Sequence, residues 1–179
     1  MNFSQEQYGE AFQDILTLAE HESAQMGHYY LGVEHLFIAL TRLEDGATCN
    51  ALRVFGLSAR FVRHSVRAAT GAGDHHRYWP SFRPTPRYQA ILTRAAALAH
   101  ERRAAGIEER DLLVAILQEG RSIPARILVQ LGVDLERMAA VASGWQPAEA
   151  PRQPLIPVSG AELSADQQRV LSEMFRAYA

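Results

Sequence analysis

The sequence contains no lysine, only one cysteine (Cys49), and no apolar run long enough to cross a membrane. A membrane-spanning helix needs about 20 consecutive apolar residues, so we expect no membrane association. A single cysteine cannot form an internal disulfide, which is typical of proteins in a reducing compartment. The first residues lack the basic and apolar regions of a signal peptide, so we expect a cytoplasmic protein.

The absence of lysine also excludes a nucleotide-binding P-loop within these 179 residues, because the motif G-x-x-x-x-G-K-[ST] requires one. The 18 arginines are balanced by 20 acidic residues, giving a net charge of -2. This balance disfavours nucleic-acid binding, which depends on a basic surface that neutralises phosphates. No catalytic motif stands out, so we expect a protein without enzymatic activity and without a cofactor.

Apolar residues make up 47% of the chain, which is enough for a substantial core. They recur with a constant shift of 76 residues and no gaps. The shift relates residues 15–17 (I-L-T) to 91–93 (I-L-T), residues 36–40 (L-F-I-A-L) to 112–116 (L-L-V-A-I), and Gly56 to Gly132. Similarity at a fixed spacing is the signature of a repeated structural unit.

Each unit shows helical periodicity, as in Tyr8, Phe12, Ile15 and Ala19 of the first unit. We therefore predict an all-α fold with eight main helices in two quasi-equivalent four-helix units. Ser58 and Asp134 are expected to cap the fourth helix of each unit, and glycines to end the third. The expected divisions are repeat 1 (4–72), a linker (73–84), repeat 2 (85–145), a proline-rich linker (146–160) and a C-terminal helix (161–179).

Three segments carry a family resemblance. Residues 26–36 (M-G-H-Y-Y-L-G-V-E-H-L) resemble the L-G-H-x-Y-[IV]-G-T-E-H-[IL] signature of the Clp repeat domain, and residues 51–58 (A-L-R-V-F-G-L-S) resemble its A-L-x-x-L-G-[LV]-S motif. Residues 85–87 match its T-P-R helix start. The resemblance covers residues 4 to 145. It implies a non-catalytic module that receives the substrates and adaptors of Clp unfoldases, here acting as an accessory, adaptor or decoy in regulated proteolysis.

The resemblance also implies a ligand site for phosphoarginine. Glu34, flanked by Val33 and His35, matches the acidic residue that contacts the guanidinium group. The threonine that holds the phosphate corresponds to Gly9 in the first unit and to Thr85 in the second, whereas the second acidic position is Arg110. We therefore expect the two halves of the pocket to be split between the units, and any pocket at Arg110 to prefer a plain anion.

Other interpretations remain open. Glu34 could be a solvated residue in the first turn of a helix, where the dipole favours it. The aromatic linker residues Tyr78, Trp79 and Phe82 could form the binding site of a small-molecule sensor. The family resemblance suggests cyclic peptides as ligands, because related domains bind cyclic peptides. Arginines at positions 60, 63 and 67 form a modest cluster, the weak argument for a helical transcription regulator. The resemblance treats His28 and His35 as structural, so no metal site is expected.

The predicted C-terminal helix has two interpretations. Its apolar side could pack back onto the helical units. Alternatively, it could dock into a groove of another protein, such as a second copy or an unfoldase.

Overall fold

A computed structural model describes residues 10–74 and 82–146 of the chain. In these ranges it forms eight α-helices and two short strands: α1 (Glu10–Gln25), β1 (Tyr30–Leu31), α2 (Val33–Leu40), α3 (Ala47–Val54), α4 (Ala59–Thr70), β2 (Arg83–Pro84), α5 (Pro86–Glu101), α6 (Glu109–Glu119), α7 (Ile123–Gln130) and α8 (Leu135–Gly144). The predicted all-α fold is confirmed. None of the described helices has the length and apolar character needed to cross a membrane.

The helix ends lie where the capping residues predict them. The Ser58 hydroxyl accepts a hydrogen bond from the Phe61 N–H at 3.5 Å, and the Asp134 carboxylate accepts one from the Arg137 N–H at 3.0 Å. These contacts satisfy N–H groups that have no partner inside a helix. Gly56 follows α3 with a φ of +72°, a left-handed conformation that glycine adopts without strain.

The two repeat units share one hydrophobic core. Its centre is formed by α2 and α6, whose residues 36–40 and 112–116 are all buried. Helix α2 packs against α6 and α7 of the second unit, and α3 packs against α8. A helix that is apolar on all sides is stable only when it is surrounded. The apolar segments that repeat in the sequence therefore become the two central helices of a joint core.

A short parallel strand pair joins the two units. Tyr30 pairs with Arg83 and Leu31 with Pro84, and the Thr85 N–H donates to the Leu31 carbonyl at 2.8 Å. The sequence did not predict these strands, because two residues are too few to show an alternating pattern. Since α2 and α5 begin directly after the paired strands, the two helices start side by side.

Several predictions concern residues outside the described ranges. These are Gly9, Tyr78, Trp79, the greater part of the proline-rich linker and the C-terminal helix over 161–179. Of the aromatic linker, Phe82 is described, and it is partly buried against the core.

Candidate functional site

The starts of α2 and α5 form the candidate site. Gly32 is the N-cap of α2 and Thr85 is the N-cap of α5, and they follow strands that are hydrogen-bonded to each other. Paired strands lie about 4.8 Å apart, so the two caps are neighbours. The Thr85 hydroxyl accepts a hydrogen bond from the Tyr88 N–H at 3.2 Å, which confirms the predicted helix start. Two positive helix ends thus meet at one place on the protein.

The Glu34 carboxylate lies over the start of α2. Its side chain is 12% exposed and folds back over Gly32, where a β-carbon would overlap the carboxylate. The phenol of Tyr30 hydrogen-bonds to Glu34. Burial, followed by the Glu34 charge and this hydrogen bond, raises the pKa of Tyr30 to about 12. Among the described residues no arginine forms an ion pair with Glu34.

His35 and Val33 lie beneath the site. The His35 Nδ1 accepts a hydrogen bond from the Gly32 N–H at 3.0 Å, and its Nε2 lies 2.8 Å from Nδ1 of His28. Burial, and secondarily the charge of His28, lowers the pKa of His35 to about 3, so the ring is neutral. Both Val33 and His35 are buried. Their side chains lie in the interior, and the predicted contact of these two residues with a ligand stays a prediction.

The equivalent position in the second unit is closed by internal contacts. The Arg110 Nε donates to the Glu108 carboxylate at 2.8 Å, and its Nη1 donates to the Trp145 carbonyl at 2.8 Å. The Arg110 side chain is only 15% exposed. The sequence predicted a pocket here that prefers a plain anion, but the guanidinium group is already engaged by a carboxylate and a backbone carbonyl.

The strand pair also places parts of the two units side by side. The sequence paired each phosphate-binding position with the acidic position of its own unit, which left the pocket split. In the fold, however, Thr85 of the second unit lies beside the start of α2, next to the turn that carries Glu34. The expectation of a split pocket stays a prediction, and the strand pair offers a second arrangement in which Thr85 lies near the turn that carries Glu34.

Two residues of this arrangement were not singled out from the sequence. Tyr30 holds the Glu34 carboxylate, and Gly32 leaves the space into which that side chain folds. Both belong to the Y-[IV]-G part of the family signature. Tyr30 and Gly32 are therefore recognisable in the quoted motif, although both residues were interpreted only as evidence for the fold.

Comparisons with known proteins agree with this architecture. In curated proteins, the chain is 27% identical over 130 residues to the "Negative regulator of genetic competence ClpC/MecB" of Bacillus subtilis, a match that covers 73% of this chain and 16% of that protein. It is also 27% identical over 130 residues to the "Chaperone protein ClpB" of Oceanobacillus iheyensis, with the same coverage. The chain thus matches about a sixth of the length of these relatives.

Solved structures show the same fold. The N-terminal domain of Hsp104 from Candida albicans superposes with a TM-score of 0.67 at 16% identity, covering 78% of this chain and 91% of that one. The N-domain of ClpV from Vibrio cholerae gives a TM-score of 0.59 at 17% identity, covering 77% and 86%. The family described as "Clp repeat (R) N-terminal domain" matches residues 7–130 and again residues 83–178. The chain therefore belongs to the Clp repeat N-terminal domain family.

Proposed function

We propose that this chain is a non-catalytic module that receives proteins or peptides, and that it acts as an accessory, adaptor or decoy in regulated proteolysis. Its family membership and the absence of a P-loop from its 179 residues support this role. We further propose that it recognises phosphoarginine at a composite site formed by both repeat units, with Glu34 from one and the start of α5 from the other.

The observation that carries the proposal is the parallel strand pair that sets the N-caps Gly32 and Thr85 side by side. A phosphoarginine side chain has a guanidinium group next to a phosphoryl group. A carboxylate binds guanidinium with two parallel hydrogen bonds. The N-terminus of a helix binds phosphate through its backbone N–H groups and dipole. Glu34 and α5 offer these two complements at one place.

The charge environment at Glu34 favours an external cation. The carboxylate is held by a neutral phenol and lies 4.0 Å from Nδ1 of a neutral histidine. In the second unit, the corresponding helix start already contains an arginine, Arg110, paired with Glu108. At this position of the two helix starts, only α2 has a carboxylate, and it has no arginine partner among the described residues, so we expect one ligand per chain.

The test is a calorimetric titration of the full chain with a phosphoarginine peptide, beside the same peptide carrying unmodified arginine. Glu34→Gln removes the charge and preserves the shape, and we expect it to weaken binding about tenfold or more. Glu136→Gln, which changes an exposed carboxylate in the first turn of α8, is the matched control and should bind normally.

Substitutions at Thr85 distinguish the composite site from a site that lies within the first unit alone. Thr85→Val removes the hydroxyl at the start of α5 and should weaken binding of the phosphorylated peptide, whereas Thr85→Ser should retain it. Binding that depends on Glu34 and not on Thr85 would contradict the composite site. Equal binding of the phosphorylated and unmodified peptides, or no binding of either, would contradict phosphoarginine recognition.

A further inference from the structure

A second charged cluster lies on the first unit, around a buried carboxylate. Glu22 of α1 is 1% exposed, and its carboxylate oxygens form ion pairs with Arg42, after α2, and with Arg67 of α4. Arg63, one turn before Arg67, donates from Nη1 to the Thr41 carbonyl at 3.0 Å. Arg42, Arg63 and Arg67 are called the arginine cluster below.

The arginine cluster carries more positive charge than the neighbouring Glu22 carboxylate neutralises. One carboxylate balances three guanidinium groups, which leaves a local excess of two positive charges. Burial and then the charges of Arg42 and Arg67 lower the pKa of Arg63. Arg67 also has a buried Nε atom with no hydrogen-bond partner among the described residues. Yet Arg42 and Arg67 are each more than one third exposed, so this charge reaches solvent.

The repeat itself shows that the fold does not need this cluster. The second unit forms the same four helices and uses uncharged residues at the equivalent positions. A shift of 76 residues replaces Glu22, Arg42, Arg63 and Arg67 by Leu98, Gln118, Ala139 and Ser143. A buried ion pair is weak evidence for stability, because apolar residues often serve as well. A purely structural role therefore does not explain why one unit has three arginines there.

We infer that the arginine cluster is a binding site for an acidic segment of a partner protein, whose Asp or Glu carboxylates would occupy the free guanidinium faces. Guanidinium groups bind carboxylates through two hydrogen bonds, which suits closely grouped arginines. The cluster lies at the C-terminal end of α2, and Glu34 lies at the start of the same helix. Eight helical residues span about 12 Å, so the two sites are separate.

An acidic protein segment fits this cluster better than nucleic acid does. Arg42 and Arg67 converge on the Glu22 carboxylate with Arg63 beside them, instead of following an extended stripe, and the chain as a whole has a net charge of -2. Nucleic-acid binding relies on several phosphates contacted along a basic surface.

The test uses the full chain and a fluorescein-labelled hexaglutamate peptide, followed by fluorescence anisotropy at low and moderate salt. Arg63→Gln removes one charge from the cluster and leaves Glu22 paired with Arg42 and Arg67. We expect it to weaken peptide binding about tenfold. Arg121→Gln makes the same change of net charge at an exposed position in the second unit, and it should bind like the unaltered protein. Circular dichroism melting verifies that both variants are folded.

Binding that is lost in Arg63→Gln and kept in Arg121→Gln supports the site. Equal losses in the two variants would show a general attraction of charge and overturn it. Absence of peptide binding at low salt would also overturn it, as would a duplex DNA of equal charge binding more tightly than the peptide. Because hexaglutamate contains no phosphoarginine, failure here leaves the proposed site at Glu34 untouched.

Discussion

The Nδ1 atom of His28 lies 2.8 Å from the Nε2 atom of His35. Because the other nitrogen of His35 accepts the Gly32 N–H at 3.0 Å, Nε2 must carry the proton and donate it to His28. A neutral ring thus links the turn before β1 to the N-cap of α2. In the second unit the N–H of the N-cap residue Glu108 is bound by Asp111 instead of a histidine. The Asp111 carboxylate accepts this N–H at 2.9 Å.

Acid should destabilise the protein through His35. Its pKa is about 3 in the folded protein, against an ordinary histidine value of 6.5 in the unfolded chain. Between these values the unfolded chain binds a proton that the folded chain does not, so stability falls as the pH falls from 6.5 towards 3. The loss approaches about 1.4 kcal/mol for each pH unit. Urea unfolding at a series of pH values between 7.5 and 5 measures this slope.

The control for this effect keeps the cap and removes the titration. In His35→Asn, the amide oxygen can accept the Gly32 N–H, as the Asp111 carboxylate does in the second unit, but it binds no proton. We expect lower stability at pH 7 because of lost packing, and a flatter dependence on pH. His21→Asn changes an exposed histidine of α1 and should leave the slope as it is. A slope unaffected by His35→Asn would assign the acid sensitivity to other groups.

Cys49 should react slowly with alkylating reagents. The thiol is 6% exposed and lies 3.5 Å from the Thr41 carbonyl. Burial, reinforced by the charge of Glu109, raises the pKa of the thiol to about 11 from its ordinary value of 9.0. At pH 8 we expect a rate with iodoacetamide at least about a hundredfold below that of the same chain unfolded in urea, because only thiolate reacts. Similar rates in the two states would show that the thiol is accessible.

Local features of the fold were predictable because their causes are local. Ser58, Asp134 and Thr85 each satisfy an N–H group three residues ahead, and such caps can be recognised from neighbouring residues alone. The burial of residues 36–40 and 112–116 followed from their apolar character and from the repeat.

The candidate site was only half predictable, because it depends on which helix starts meet. Glu34 and Thr85 were identified separately from the sequence. Their proximity depends on the pairing of Leu31 with Pro84, a contact between residues more than 50 positions apart. The engagement of Arg110 by the Trp145 carbonyl is likewise a long-range contact. Neither contact leaves a periodic pattern in the sequence.

Gly27 and Gly56 should differ in their tolerance of a methyl group. Both have a φ of +72°, but only Gly27 is crowded: a β-carbon there would lie 2.7 Å from the Gly73 carbonyl oxygen, whereas the space at Gly56 is open. Gly56→Ala should lose about 1 kcal/mol through backbone strain alone, and Gly27→Ala should lose clearly more. Urea unfolding compares them. Equal losses would mean that the Gly73 backbone moves aside without cost.

Glu109 should stabilise the contact between the units by capping a helix of the other repeat. Its carboxylate oxygens accept the N–H groups of Thr48 at 2.8 Å and Ala47 at 2.9 Å, at the start of α3. Removing the side chain leaves these N–H groups without a partner in a partly buried place. We expect Glu109→Ala to lower the free energy of unfolding by about 2 kcal/mol, the upper range for loss of a helix cap.

Comparison of the two repeat units indicates why this loss of stability is expected at the start of α3 and not at the equivalent start of α7. At the equivalent positions, Val33 replaces the carboxylate and Pro124 replaces Thr48. Because proline has no backbone N–H, the start of α7 has one fewer donor that needs an acceptor than the start of α3 has. Glu136→Ala, at an exposed site in α8, is the control and should change stability by less than about 0.5 kcal/mol. If Glu109→Ala were equally mild, the two hydrogen bonds would contribute nothing beyond what water supplies to those N–H groups.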